Sequence, residues 1–429
     1  MELKDIKRVH LIGIAGVSMA GLAKVLEVRG IEVNGCDLTA GGHDPGHITK
    51  DLDLVVISQA ITEQSPGFAE VETAQKLNIP VQTRAWLIGR LMQEKGKIGV
   101  AIAGAHGKTT TTAMLGMILL EAGLDPTILN GGVIKQLGAS PAPDGAGASW
   151  RVGKGPHIVA EACEYEKQFL QFVPRAVILT NIDKEHLDTF PKGLPQIIRA
   201  FRDFVKLIPK NGILVINGDD PNLRAVAKSC RCRVKAVSFK RPWPGLRLKL
   251  PGEHNLMAAN LAAHLAHELG VAHEAAKSAL NKFQGVARRL DYLGEKNGVK
   301  VYDDYGHHPA ELATTFRTLR ELHPKSRLIV AFQPHQAKRT KLLFDDFVKA
   351  LKIPAMVLIA PIFKVAGRDE NESVSSEDLA KAVGQSAKSY QDYQSIAASL
   401  KKIVQRGDVV LTIGATKVNE AGKQFLSIK

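Results

Sequence analysis

Lys97 to Gly123 reads KIGVAIAGAHGKTTTTAMLGMILLEAG. It is an apolar strand, a glycine-containing turn and a long helix in direct succession. The turn is Gly104-Ala105-His106-Gly107-Lys108-Thr109-Thr110. Strand before and helix after are the context a phosphate-binding loop requires. Glycines let backbone N–H groups approach an anion, and the helix N-terminus adds a favourable dipole. In such a loop Lys108 reaches terminal phosphates and the Thr109 hydroxyl ligates Mg²⁺. The general pattern G-x-x-x-x-G-K-[ST] wants glycine at 102, where Ile102 stands. The loop is therefore a shorter G-x-x-G-K-T variant. The alternative is a chance Gly-Lys-Thr at a helix start; the preceding strand, the Thr-rich helix and the second glycine argue against it.

Outward from this stretch, strand and helix signals keep alternating, which points to α/β architecture with mainly parallel sheets. Three blocks emerge. Residues 1–95 open with VHLIGIAG, then a helix from Ser18 to Arg29 and the strands IEVNGCD, DLVVISQAI and IPVQT, a Rossmann-like order. Residues 96–293 hold the phosphate loop, the strands HIVAEAC, AVILTNID and GILVINGDD, and the helix HNLMAANLAAHLAHELG. Residues 294–429 carry VKVYDDY, RLIVAFQP, AMVLIAP and DVVLTIGA between helices. The stretch 139–156, rich in Pro, Gly and Ala, reads as a loop within the second block.

Composition narrows the class. At 429 residues, 45% apolar and 23% charged, the chain is long enough for two to four folded domains and too apolar for wholesale disorder. No apolar run reaches the roughly 18–20 residues of a membrane span, and the N-terminus lacks a secretory signal pattern. Cys36, Cys163, Cys230 and Cys232 are scattered, suggesting no disulfide framework and a reduced, cytoplasmic protein. Cys230 and Cys232 read as two reduced thiols, since no second pair follows for a metal. The excess of 57 basic over 43 acidic residues, a net +14, suits an anionic substrate. Nucleic-acid binding fits less well, because the basic residues are dispersed and aromatics are few.

The loop and its surroundings resemble the Mur ligases of peptidoglycan synthesis, and among them the alanine-adding branch. The resemblance runs through nearly the whole chain in order: GIAGVSMAGLA, VVISQAI, GAHGKTTTT, EACEYEKQFL, TNIDKEHLDTF, GEHN, FQGVARRLDYLG, DDYGHHPAE, FQPHQAKRT and GDVVLTIGA. DDYGHHP paired with FQPH is the most branch-specific part. The resemblance implies three domains: an N-terminal Rossmann-like domain for a UDP-substrate, a central P-loop ATPase with a mainly parallel sheet, and a C-terminal Rossmann-like domain for the amino acid. It implies ATP and Mg²⁺ as cofactors, UDP-N-acetylmuramate and L-alanine as substrates, and a monomer or weak homodimer without nucleic-acid or membrane partners. The implied reaction phosphorylates the lactyl carboxylate and lets the alanine amine attack the acyl phosphate. Phosphoryl transfer needs positioning and charge neutralisation above all, so cations must gather between the two anions.

The same resemblance assigns roles by residue. Thr109, Glu161 and His186 match the Mg²⁺ ligands, Glu161 and His186 following apolar strands. Read alone, they are a strand-end carboxylate and a surface histidine. Where other Mur ligases carry a carbamylated lysine this chain has Phe201, which narrows the branch. His254 and Asn255 match adenine-side contacts; the usual second Asn is replaced by Ala258, and Asn260 lies about 200° further round a helix. Arg289 matches an arginine on the ATP phosphates, and Asp304 the ribose carboxylate. His307 is placed to help the reacting carboxylate or phosphate electrostatically, and His308 reads as structural. His335 and Arg339 match the substrate side, Arg339 as a bidentate carboxylate clamp. Gln336 stands where Arg or Thr is common and Ala337 where Tyr or Phe is common, and the lost bulk at 337 reads as a widened amino-acid pocket. Cys163 stands where Asp is common and reads as a small buried residue. Gly13, Gly16, Ser18, Asp37 and Ser58 fall to the UDP-substrate site. That glycine turn by itself suits a nicotinamide nucleotide equally. A recycling ligase that attaches a preformed peptide, an NAD-dependent oxidoreductase and a nucleotide-binding regulator are the competing functions.

Overall fold

Short apolar strands, most of them followed by a glycine or polar turn and a helix, build mainly parallel sheets. The structure, a computed structural model, describes residues 2–137, 147–365, 369 and 373–427. Of the stretch 139–156, residues 139–146 lie outside these. The chain divides into two compact units, Met1–Val286 and Ala287–Lys429.

The first unit holds two sheets among its described residues. Strands β1 (Arg8–Ile12), β2 (Glu32–Cys36), β3 (Leu54–Ile57) and β4 (Val81–Thr83) form one, parallel in the order 2-1-3-4. The other comprises β5 (Ile98–Ala103), β6 (Thr127–Ile134), β7 (Ala148–Arg151), β8 (His157–Glu161), β9 (Ala176–Leu179), β10 (Ile213–Asn217) and β11 (Arg233–Val237). Its order is 11-10-9-5-8-6-7, parallel except for the β6–β7 pair. The loop-bearing strand β5 is central, so the cradle after it sits at the middle of the sheet's C-terminal edge, where α/β ligand sites lie.

Burial explains the sequence of the helix after that loop. In Lys108–Glu121 even Thr111, Thr112 and Gly116 are inside, because the helix packs between the sheet and the helix Glu253–Glu268. A Cβ at Gly116 would press into Ile128. The helix Leu194–Val205 instead buries one stripe, Ile197, Ala200, Phe201, Phe204 and Val205, at the spacing of a one-sided amphipathic helix. Phe201 is thus a core residue, edge-on to Phe169 at 5.2 Å.

The second unit carries β12 (Asp291–Lys296), β13 (Val299–Asp304), β14 (Leu328–Phe332), β15 (Met356–Ile359), β16 (Ala387–Ser389) and β17 (Val409–Ile413). Their order is 12-13-17-14-15-16, antiparallel only at the β12–β13 hairpin. Two sequence expectations change. Cys230 and Cys232, read as reduced thiols, pair as a disulfide; the bend at Ser229–Arg231 brings their Cα atoms to 5.5 Å, within bridging range. Cys163 is partly rather than fully buried, since it lies past the end of β8. Among the described residues no helix is long and apolar enough to cross a membrane.

Candidate active site

The cradle is built by two left-handed glycines. Gly104 has φ +135° and Gly107, the residue before the helix, φ +79°. At Gly104 a side chain would also collide with Thr180 Oγ1 and the backbone of Asn181. These two residues, just past β9, brace the loop. Asn181 Oδ1 accepts from the His106 N–H at 2.9 Å, and its Nδ2 donates to the His106 carbonyl at 2.9 Å. Thr180 Oγ1 donates to the same carbonyl at 2.7 Å. His106 Nε2 lies 3.1 Å from Asp183 Oδ2. Thr110 is buried behind the loop.

Lys108 folds back over the turn. Its Nζ donates to the carbonyls of Gly104 and Ala105, the latter at 3.0 Å, and sits 3.2 Å from Glu164 Oε2. Burial alone would lower the ammonium pKa, but Glu164, Cys163 and Glu161 outweigh it and hold the group above the ordinary lysine range. Lys108 is therefore a fixed positive charge folded over the glycine turn.

Thr109 Oγ1 donates to Glu161 Oε2 at 3.1 Å, and the Gly131 N–H donates to Glu161 Oε1. Two of the three expected metal ligands thus touch. His186 has φ +54°, and its Nε2 lies 4.0 Å from Cys163 Sγ, its ring 5.0 Å from Tyr165. His186, Cys163 and Glu164 form a group of their own. Burial would lower the His186 pKa, yet the Cys163 contact and nearby Glu164 raise it overall.

On the helix Glu253–Glu268, His254 is exposed in the first turn, while Asn255 is buried with its Nδ2 donating to the Pro251 carbonyl at 2.7 Å. Asn260 is fully buried. It accepts from the Trp243 N–H at 2.6 Å and donates to the Ser238 carbonyl at 3.2 Å, so it anchors a loop.

At the N-terminal sheet Gly13 (φ +88°) donates its N–H to the Cys36 carbonyl, and a Cβ there would strike Ser58 Oγ. Gly16 precedes the helix Val17–Glu27, and Ser18 lies in its first turn. Gly13, Gly16, Ser18 and Ser58 gather at the ends of β1 and β3. Asp37, just past β2, accepts from the N–H and hydroxyl of Thr39.

In the second unit Asp304 ends β13. Its carboxylate accepts from the Leu290 and Gly306 N–H groups, both at 2.7 Å. Burial pushes its pKa up to about 6, against the opposing pull of Arg289 and those two amides. Arg289 lies over the Tyr305 ring, 5.1 Å from its centroid, and 3.9 Å from Glu311. His307 Nδ1 is 3.1 Å from the Tyr305 carbonyl, and its ring is 5.6 Å from that of His335. His335 stacks on Phe363 at 5.4 Å, and Arg339 Nη1 donates to the His335 carbonyl at 3.3 Å. His307, His335 and Arg339 are therefore neighbours. His308 caps the helix Pro309–Leu322. Ala337 is fully buried, so it does not widen an open pocket.

Three matches to known families span this geometry. Residues 8–95 match the Mur ligase family catalytic domain, 102–244 the Mur ligase middle domain, and 288–416 the Mur ligase glutamate ligase domain. The UDP-N-acetylmuramate–L-alanine ligase of Caldanaerobacter subterraneus subsp. tengcongensis is 35% identical over 470 residues, covering 99% of this chain and 98% of that protein. The chain belongs to the Mur ligase family. The namesake ligase of Aquifex aeolicus is 34% identical, over 99% of this chain and 98% of its own. In fold, this Mur ligase is similar to the UDP-N-acetylmuramate–alanine ligase of Thermotoga maritima (TM-score 0.76, 23% identity, 98% of each chain). It is also similar to a murein peptide ligase of Psychrobacter arcticus (TM-score 0.70, 22% identity, 98% of each chain).

Several residues of this Mur ligase site were missed in the sequence. Glu164 holds Lys108, and Thr180, Asn181 and Asp183 brace the loop. The available signal was placement: TNID directly follows β9, the neighbour of β5, and polar residues at that edge face the same turn.

Proposed function

We propose that this Mur ligase joins L-alanine to the lactyl carboxylate of UDP-N-acetylmuramate at the expense of ATP, as a cytoplasmic enzyme working as a monomer or weak homodimer. In this reading residues 1–95 take the UDP-substrate, 96–293 the nucleotide and 294–429 the amino acid. The cradle carries it: the glycine turn at the N-terminus of the helix Lys108–Glu121 and the held ammonium of Lys108 lie together where a triphosphate end is expected. The full-length relatives named as alanine ligases support the choice of substrates.

The chemistry follows from charge. A carboxylate is inert to amines; its phosphoryl ester is not. Lys108 and the loop amides neutralise the anionic phosphates, so that a second anion can come close. Thr109 and Glu161 offer hard oxygen donors side by side, which fits Mg²⁺, and His186 would complete the set. When bound, the ion supplies charge neutralisation on the phosphates. Arg289 adds a cation for the phosphates and Asp304 an acceptor for ribose hydroxyls. Arg339 and His335 face the amino-acid carboxylate, and His307 steadies charge at the reacting centre. The acyl phosphate then yields to the amine, giving amide, ADP and phosphate.

The test mixes the protein with ATP, Mg²⁺, UDP-N-acetylmuramate and a panel of amino acids, read by product mass and phosphate release. An L-alanyl product is expected. A product formed with a preformed tripeptide in preference to L-alanine points to the recycling ligase. ATP binding without any amide points to a regulator, and tight NAD(H) binding without ATP binding to an oxidoreductase.

A further inference from the structure

A buried polar cluster lies beside the N-terminal sheet, on residues that the ligase reading does not use. Glu70, on the helix Phe68–Lys76, has a fully buried carboxylate. Its Oε2 is 3.0 Å from Cys36 Sγ and 3.0 Å from His43 Nδ1. Its Oε1 is 2.8 Å from His47 Nδ1 and 3.8 Å from His10 Nε2. Cys36 Sγ is in turn 3.4 Å from His10 Nε2 and 3.2 Å from His43 Nδ1. One donor atom each from His10, Cys36, His47 and Glu70 falls within 4.8 Å of all the others.

Ordinary packing does not require this convergence. One partner would neutralise a buried carboxylate; here three imidazoles and a thiol are aimed at it, from β1, the end of β2 and the stretch His43–His47. His10 is 2% exposed, and its Nδ1 has no hydrogen-bond partner among the described residues.

We propose that His10, Cys36, His47 and Glu70 form a binding site for a divalent transition metal of the zinc class. His43 sits beside it against the Cys36 sulfur and the Glu70 carboxylate. Four ligands held about 2.0–2.3 Å from a tetrahedral zinc stand roughly 3.3–3.8 Å apart. The spacings of 2.8–3.8 Å among Cys36, Glu70, His10 and His47 lie close to that range. A thiolate with two imidazoles selects zinc-like ions over magnesium or calcium, which prefer all-oxygen sets. His47, about one-third exposed, gives the ion a route in. The thiol proton of Cys36 leaves to solvent as the ion binds. The Cys36 carbonyl accepts from the Gly13 and Ile14 N–H groups, so the bound ion would also stiffen the glycine turn.

The full chain, stripped with a chelator, is titrated with Zn²⁺ against a competing chromophoric chelator and, separately, with Co²⁺. One tightly held zinc and a thiolate-to-cobalt charge-transfer band are expected, with a zinc-dependent rise in Tm. The second thiol near candidate ligands, Cys163, is the necessary control. The band should vanish in Cys36→Ser and persist in Cys163→Ser. His47→Ala, altered at the exposed edge, should stay folded and lose more than the roughly 10–100-fold in zinc affinity typical of an outer-shell change. A band that survives Cys36→Ser or vanishes in Cys163→Ser overturns the proposal. So does a folded wild-type chain that retains no zinc, which would make the cluster a hydrogen-bonded mount for Glu70.

Discussion

Lys108 serves two masters, and substitution separates them. Its ammonium faces the loop, where phosphate charge is expected, and it also neutralises the buried Glu164. Lys108→Ala should therefore lower turnover by about 10²–10³-fold, as loss of one preorganised charge does. It should also cost stability, on the order of 3–5 kcal/mol, because Glu164 is left buried and unpaired. Adding Glu164→Gln should restore most of the stability and none of the turnover. Phosphate release and urea unfolding on the three proteins check this; stability unchanged in Lys108→Ala would reject the pairing. Lys108 was legible because Gly-Lys-Thr follows a strand. Glu164 was not, because EACEYEK offers Glu161, Glu164 and Glu166 with nothing local to rank them. The ranking comes from the turn Tyr165–Gln171, where Glu166 and Lys167 adopt left-handed conformations and Glu164 points inward. His186 is similar: sequence marks it as a ligand, but its side chain meets Cys163, a partner 23 residues away.

Between β5 and its helix the turn leaves no space for a side chain at Gly104. Gly104→Ala would strain a φ of +135° and press on Thr180 and Asn181, at a combined cost of about 2–5 kcal/mol. We expect a lower Tm together with loss of nucleotide binding by calorimetry; wild-type values for both would show that the loop is not held as described. A second element-level link is Asp304, which joins the segment at Leu290 to the turn at Gly306. Its folded pKa, about 6, lies above the ordinary 3.8, so the native state binds the extra proton. That contribution is complete below about pH 4 and is lost as pH rises through about 6, up to roughly 3 kcal/mol. Asp304→Asn cannot titrate but misplaces one acceptor. It should be less stable than wild type near pH 4, and the gap should close or reverse by pH 7. A gap constant with pH, in unfolding at each value, rejects the assignment. Most elements were legible because buried parallel strands are short apolar runs. β12 was missed: Asp291–Lys296 is a half-exposed edge strand, polar at alternate ends and without a continuous apolar run. β7 was missed because Ala148–Arg151 sits inside a stretch whose Pro and Gly content reads as loop.

Across the whole chain the excess of 57 basic over 43 acidic residues remains after the individual ion pairs are assigned. A net charge of +14 attracts ATP and UDP-N-acetylmuramate, the two proposed reactants that carry phosphates. Screening sets the range of that attraction: the Debye length falls from about 30 Å at 0.01 M salt to about 8 Å at 0.15 M. Capture from solution should therefore weaken over this interval, whereas contacts already formed in the cradle should not, because buried pairs are screened far less. We expect kcat/KM for ATP and for UDP-N-acetylmuramate to fall several-fold between these salt concentrations, with kcat nearly constant. Steady-state kinetics in a non-coordinating salt, with Tm followed in parallel, separates the effect from unfolding. If kcat falls along with kcat/KM while Tm holds, salt is reaching the Lys108–Glu164 pair itself, and the cradle is more open to water than its burial indicates.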